Sequence, residues 1–283
     1  MSEIQLFGVL GAGQMGGGIA QAAAAAGLQV KLADVDLPTS ERGKAAIEKR
    51  LLAQVGKGKL AQADAEALLA RIEPVAGIAD LNDVDMVVEA ASEDLTLKKK
   101  LFALLDEHCK PEAILASNTS SISITLMGAA TSRPDKVVGL HFFNPVPVMR
   151  LVEVIRGLPT SDATYAATCA VAELMGKEVV SCEDKAGFVV NRLLLPFINE
   201  ACFTLEEGVA SREDIDLAVR LGLNHPMGPL ALADFIGLDT CLAILEVLHR
   251  ELGEDKYRPS PLLRRYVAAG WLGKKSGRGF YQY

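Results

Sequence analysis

The chain has 283 residues, of which 50% are hydrophobic and 23% charged, and it carries a formal net charge of −7. That length suits two domains rather than a single core, and the composition excludes a disordered chain. The negative charge argues against nucleic-acid binding, though it leaves room for a local basic patch facing a phosphorylated ligand.

The N-terminus runs from Met1 straight into the apolar stretch from Ile4 to Leu10, with no basic region, long apolar core or small-residue cleavage site. No apolar stretch reaches the roughly 18–20 residues that span a bilayer. The expected location is therefore the cytoplasm, with no membrane partner. Five cysteines (Cys109, Cys169, Cys182, Cys202, Cys241) are widely spaced and odd in number, which fits small buried hydrophobes in a reducing compartment. The four histidines show no metal-type spacing with one another or with cysteine, so no metal site is expected.

Strand-like runs at 6–10, 30–34, 85–90, 113–117, 137–141 and 151–155 alternate with helical patterns at 14–26, 96–108 and 163–175. Strands separated by helices predict a Rossmann-like, doubly wound parallel sheet. The charged segment 40–72 has apolar residues at helical spacing and reads as an excursion of two helices joined near Gly56-Lys57-Gly58. Behind residues 184–188 amphipathic helices take over, at 188–207, 211–221, 228–236, 239–251 and 262–269. Ser211, followed by Glu213 and Asp214, is the expected cap of one of them, and Pro196 is expected to bend the first. The division is an α/β domain over 1–186 and an all-helical domain over 187–283.

Gly11-Ala12-Gly13-Gln14-Met15-Gly16 matches G-x-G-x-x-G, a weak pattern alone. Here it follows an apolar strand, opens a helix, and Asp34 closes the next strand 23 residues after Gly11. Gly11 permits the tight turn, Gly13 lets the backbone approach a pyrophosphate, and Gly16 lets helix and strand pack closely. The helix N-terminus offers unpaired N–H groups to the phosphates. A carboxylate at Asp34 accepts hydrogen bonds from ribose hydroxyls and repels a 2′-phosphate. No arginine lies beside it in the sequence and Asp36 adds charge, so the expected cofactor is NAD rather than NADP.

Ser117-Asn118-Thr119-Ser120-Ser121 follows a strand and so sits at the carboxyl edge of the sheet, where ligands bind in open α/β folds. His141 ends the next strand and opens on the same edge, with Asn144 just beyond. Glu153, twelve residues on, is near enough in a sheet to orient an imidazole. A histidine backed by a carboxylate is a recurrent base for a hydroxyl proton. The competing readings are a satisfied core histidine and a solvated strand glutamate.

These runs, with Gly187-Phe188-Val189-Val190-Asn191-Arg192, Pro226-Met227-Gly228-Pro229 and Gly273-Lys274-Lys275 to Gly279-Phe280-Tyr281, closely resemble the L-3-hydroxyacyl-CoA dehydrogenase family over nearly the whole chain, most of all its bacterial members acting on 3-hydroxybutyryl-CoA. The resemblance implies NAD-dependent interconversion of 3-hydroxyacyl-CoA and 3-oxoacyl-CoA. In that reading His141 is the acid/base and Glu153 its partner, while Ser120 and Asn191 bond the reacting oxygen or the thioester end. Asp34, Glu93, Lys98, Ser120, Asn144 and Lys275 would contact NAD. It further implies a homodimer formed through the helical domain. The match is loose for the coenzyme A nucleotide, for which Arg50, Lys57 and Lys59 could contact phosphates or simply be solvated surface. Rival readings are a 3-hydroxyadipyl-CoA-type or free-hydroxy-acid dehydrogenase of the same fold and a non-catalytic NAD-binding protein. One part of a multifunctional fatty-oxidation protein is disfavoured, because no hydratase-like extension precedes the end at Tyr283.

Overall fold

In a computed structural model that describes residues 4–283, the described residues fall into two compact units that meet between Lys185 and Ala186 in the sequence. The reading of the extreme N-terminus as leaderless falls partly on residues outside that range.

The first unit holds β1 (Leu6–Leu10), α1 (Gln14–Ala25), β2 (Gln29–Ala33), α2 (Leu37–Val55), α3 (Gln62–Ala70), β3 (Ile72–Val75), β4 (Met86–Glu89), α4 (Leu95–His108), β5 (Ile114–Ser117), α5 (Ile124–Gly128), β6 (Val137–Phe142), β7 (Leu151–Arg156), α6 (Asp162–Leu174) and β8 (Glu178–Glu183). The strands form one sheet in the order β3-β2-β1-β4-β5-β6-β7-β8. Alternate residues of its strands (Phe7, Val9, Val30, Leu32, Val88, Ala116, Leu140, Val152) make one buried face with Ile19 and Ala23 of α1, Ile47 and Leu51 of α2 and Val171 of α6. The alternation is the period-2 pattern of a strand meeting the 3.6-residue pattern of helices. Alanine and glycine on α1 let it lie close against the sheet.

Two edge strands escape the sequence reading. Ile72-Glu73-Pro74-Val75 ends the helical excursion and contains a proline, which a sheet tolerates at its edge because no donor is missed there. Strand β8 is largely solvated, so its apolar signal is weak.

One expectation of direction is corrected. Strands β1 to β6 pair in parallel, but β7 runs antiparallel to β6. The link between them, residues 143–150, holds no helix, and a parallel return needs a crossover of a dozen residues or more. After α6 supplies such a crossover, β8 pairs with β7 in parallel.

The second unit is helical: α7 (Val190–Glu206), α8 (Arg212–Gly222), α9 (Pro229–Ile236), α10 (Leu238–Leu252) and α11 (Pro261–Ala268). Its core gathers Leu195, Ile198, Leu230, Leu245, Leu248, Leu263 and Phe280. Helix α7 runs on through Pro196, and Ser211 caps α8 by accepting from the Asp214 N–H. The C-terminal strap is tied down by buried Asp234, which accepts from the backbone N–H of Phe280 (2.9 Å) and Tyr281 (2.8 Å). A Cβ at Gly279 would fall 1.9 Å from Asp234 Oδ1, so that position is closed to any side chain.

Candidate active site

Leu10, Ala33, Glu89 and Ser117 end their strands in register, so the loops that follow open side by side on the carboxyl edge. In the first of them Gly11 has φ +107°, a conformation that favours glycine. A Cβ at Gly16 would lie 1.7 Å from the Gly11 carbonyl oxygen, so helix and turn touch there as backbone on backbone. At Gly13 a Cβ would meet nothing within 4 Å. That face of the loop is therefore open, as a backbone that a pyrophosphate approaches must be. Met15 is half-buried beside it.

Asp34 Oδ2 accepts from the Ala12 N–H at 2.6 Å and Oδ1 from the Val35 N–H at 2.7 Å, which ties the end of β2 to the glycine loop. A cavity of about 500 Å³ is bounded by Gly11, Gly13, Asp34, Ile78, Ala90 and Leu101. A second, of about 400 Å³, shares Gly13 and Asp34 with it and is lined also by Thr39, Arg42 and Arg50. The two arginines lie eight and sixteen residues beyond Asp34 in the sequence, and α2 sets both in the wall of this cavity, which Asp34 also lines. Arg50 also donates to Gln21 at 3.3 Å, and burial lowers its pKa from the ordinary value. Lys57 and Lys59 stand exposed in the turn after α2.

His141 and Glu153 are directly opposed across β6 and β7. Nδ1 lies 2.7 Å from Glu153 Oε2; the histidine is 6% exposed and the glutamate 0%. Phe143 packs on the imidazole at 4.5 Å between ring centroids. The loop beyond is pinned by buried Lys177, whose Nζ donates to the carbonyls of Val146 (2.6 Å) and Met149 (2.9 Å). Asn144 in that loop accepts from Gln14 of the glycine loop at 3.0 Å, so the histidine's loop and the helix α1 N-terminus are linked.

The serine loop hangs from Glu93. Its Oε1 accepts from Thr119 Oγ1 (2.6 Å), the Ser120 N–H (2.8 Å) and the hydroxyls of Ser120 and Ser121 (both 3.2 Å). Partial burial would raise the Glu93 carboxyl, but the Lys98 ammonium 3.5 Å away and these donors hold it below the usual carboxylate range. Lys98 itself is 1% exposed and grips Glu89 at 2.6 Å, so it stands behind Glu93. Glu89 was not singled out in the sequence, and Ser117 and Thr119 only as members of the 117–121 run. The signal was there: a carboxylate closing an apolar strand at the binding edge, with a lysine in the next helix.

Asn191 and Lys275 belong to the second unit. Asn191 is buried in the first turn of α7, and Lys275 is ion-paired with Asp239 at 2.5 Å.

Comparison with known proteins matches residues 7–185 to the 3-hydroxyacyl-CoA dehydrogenase NAD binding domain and residues 187–283 to the C-terminal domain of the same enzymes. The chain belongs to the 3-hydroxyacyl-CoA dehydrogenase family. Its cofactor is NAD, which the open face at Gly13 and the anchored Asp34 suit. A 3-hydroxybutyryl-CoA dehydrogenase of Bradyrhizobium diazoefficiens is 53% identical over 280 residues, covering 99% of this chain and 96% of the relative. The crystal structure of (S)-3-hydroxybutyryl-CoA dehydrogenase from Ralstonia eutropha superposes with a TM-score of 0.96 at 51% identity, covering 99% of each chain. A 3-hydroxyadipyl-CoA dehydrogenase of Escherichia coli is 45% identical over 284 residues, all of this chain and 60% of the relative.

Proposed function

We propose that the chain is an NAD-dependent dehydrogenase interconverting (S)-3-hydroxybutyryl-CoA and acetoacetyl-CoA, with His141 as the acid/base. The observation that carries the assignment of roles is the buried His141–Glu153 pair at the binding edge. With Nδ1 committed to Glu153, proton exchange falls to Nε2, which takes the 3-hydroxyl proton in oxidation and returns it in reduction. Glu153 holds the ring's orientation and offsets the positive charge that the ring gains. Ser120 is the donor toward the reacting oxygen, and Asn191 serves the thioester end. The cofactor supplies the hydride acceptor, or in reduction the donor. Glu93, Lys98, Asn144 and Lys275 serve the cofactor side, directly or by holding those that touch it. Arg50 and Lys57 are the basic residues offered to the coenzyme A phosphates, with Arg50 favoured because it borders a cavity beside the glycine loop.

The proposal extends to a cytoplasmic homodimer joined through the second unit. All five cysteines are thiols rather than disulfides, which suits a reducing compartment. Leu217 (42% exposed), Leu221 (76%) and Leu223 (59%) leave apolar surface on and just beyond α8, the kind of patch that a partner covers.

NADH oxidation measured with acetoacetyl-CoA, longer 3-oxoacyl-CoAs, 3-oxoadipyl-CoA and free acetoacetate tests the assignment. Acetoacetyl-CoA is expected to give the highest kcat/KM. Equal rates with free acetoacetate remove the coenzyme A reading, and a preference for 3-oxoadipyl-CoA moves the enzyme to the dicarboxylate branch of the family.

A further inference from the structure

We infer that Glu89, the last residue of β4, is a positioning residue that holds the serine loop 117–121 in its working geometry, an inference that rests on Ser120 being the substrate donor. Glu89 is 0% exposed, and leaving a carboxylate ionised at such a place demands full compensation. It receives it. Lys98 Nζ lies 2.6 Å from one carboxylate oxygen and 2.8 Å from the other. The Ala91 N–H donates at 2.6 Å and the Ser117 hydroxyl at 2.7 Å.

Two routes lead from this carboxylate into the loop that carries Ser120, and the second reaches Ser120 itself. One is polar and short: Ser117 Oγ, held by Glu89, accepts from the Thr119 N–H at 3.1 Å. Thr119 Oγ1 in turn accepts from the N–H groups of Ser121 and Ile122, at 3.3 and 2.9 Å. The other is electrostatic. The ammonium of Lys98 is fixed by Glu89 at a point 3.5 Å from Glu93, and Glu93 accepts from the backbone and hydroxyl of Ser120. The backbone carbonyl of Glu89 also accepts from the Asn118 N–H at 2.8 Å, as the strand register requires.

A buried ion pair is weak as a source of stability, because desolvation of both charges offsets their attraction. An apolar pair would fill the same space. What an apolar pair would not do is present a fixed ammonium to Glu93 and a fixed acceptor to Ser117. The arrangement is therefore read as geometric: it orients the donors around Ser120, and small displacements of such groups are costly to rate.

Two variants test this. Glu89→Gln keeps the shape and removes the charge; Ser117→Ala removes one hydroxyl from the polar route and leaves the ion pair intact. Expected are a drop in kcat/KM for acetoacetyl-CoA of roughly 10- to 100-fold for Glu89→Gln and a smaller drop, about 3- to 10-fold, for Ser117→Ala. In the cofactor-free protein both variants should speed amide hydrogen exchange at residues 119–122. Ser120→Ala should cost a much smaller factor in the Glu89→Gln background than in the wild type, as for residues acting through one another. The inference is overturned if Ser117→Ala leaves both exchange and kcat/KM within twofold of wild type, or if Ser120→Ala costs the same factor in both backgrounds. Should Glu89→Gln fail to fold, Ser117→Ala decides alone. A wild-type protein inert toward acetoacetyl-CoA would sink the functional reading, while exchange at 119–122 still judges the role of Glu89.

Discussion

His141 and Glu153 face each other across an antiparallel strand pair, Nδ1 to Oε2 at 2.7 Å, with the carboxylate wholly buried. Directly opposed residues on neighbouring strands share a face of the sheet, so the strand pairing itself sets this contact. His141→Gln should lower kcat by about 10²–10⁴ and leave the dissociation constant of NADH nearly unchanged, since an acid/base acts in the transition state. Glu153→Gln retains shape and a hydrogen bond but loses charge, and should lower kcat by a smaller factor. Stopped-flow rates for the single and double variants give the check. If the two losses multiply in full, the pair does not act as one unit.

The glycine loop offers a clean separation of fold from binding. Gly16→Ala drives a Cβ to within 1.7 Å of a backbone oxygen, and overpacking of that kind costs about 1–3 kcal/mol or more. Its thermal midpoint should fall. Gly13→Ala meets no protein atom within 4 Å, so its midpoint should match the wild type while KM for NADH rises at least several-fold. A Gly13→Ala enzyme with normal NADH affinity would show that nothing lies against that face.

The ribose role expected of Asp34 comes on top of a structural one, because its Oδ2 also holds the Ala12 N–H. Asp34→Ala should therefore weaken NADH binding and narrow the preference over NADPH together, the second effect helped by Arg42 and Arg50 on the neighbouring cavity. Steady-state kinetics with both cofactors measure the ratio. A wild-type preference for NADPH would overturn the role given to Asp34.

Acid sensitivity should trace in part to Asp106. Burial pushes its carboxyl up, but the Ser132 N–H at 2.6 Å and the Arg133 guanidinium at 2.6 Å outweigh this and hold it below its ordinary value of 3.8. A depressed folded-state pKa gives stability that is fully present above the unfolded value and is lost as pH falls through the folded one. Asp106→Asn should cost about 1–3 kcal/mol at pH 7, and the gap to wild type should close as pH drops below about 4. Urea melts at pH 7, 5 and 3 test it; a gap independent of pH rules out the charge as its source.

Local pattern in the sequence carried a good deal of this molecule. The glycine loop and its acidic residue, the alternation of strands and helices, the two-helix excursion and the change to helices near residue 185 all follow from residue spacing, which reports period and turn chemistry directly. The position of His141 and of the 117–121 run at the carboxyl edge was legible, because strand ends follow from local pattern and an open α/β sheet opens its loops there.

What needed the tertiary structure is whatever depends on register between distant segments. Residue spacing did not say that β7 turns back beside β6, yet that reversal is what sets Glu153 opposite His141. Nor did it show that α2 sets Arg42 and Arg50 in the wall of a cavity that Asp34 also lines. The family resemblance offers Lys98 to NAD, but only the packed structure shows it sealed against Glu89. Glu89 and Ser117 lie 28 residues apart and meet only because β4 and β5 pair with their last residues level. A chain's periodicity is written one segment at a time; which polar groups are buried together is decided only when the segments pack.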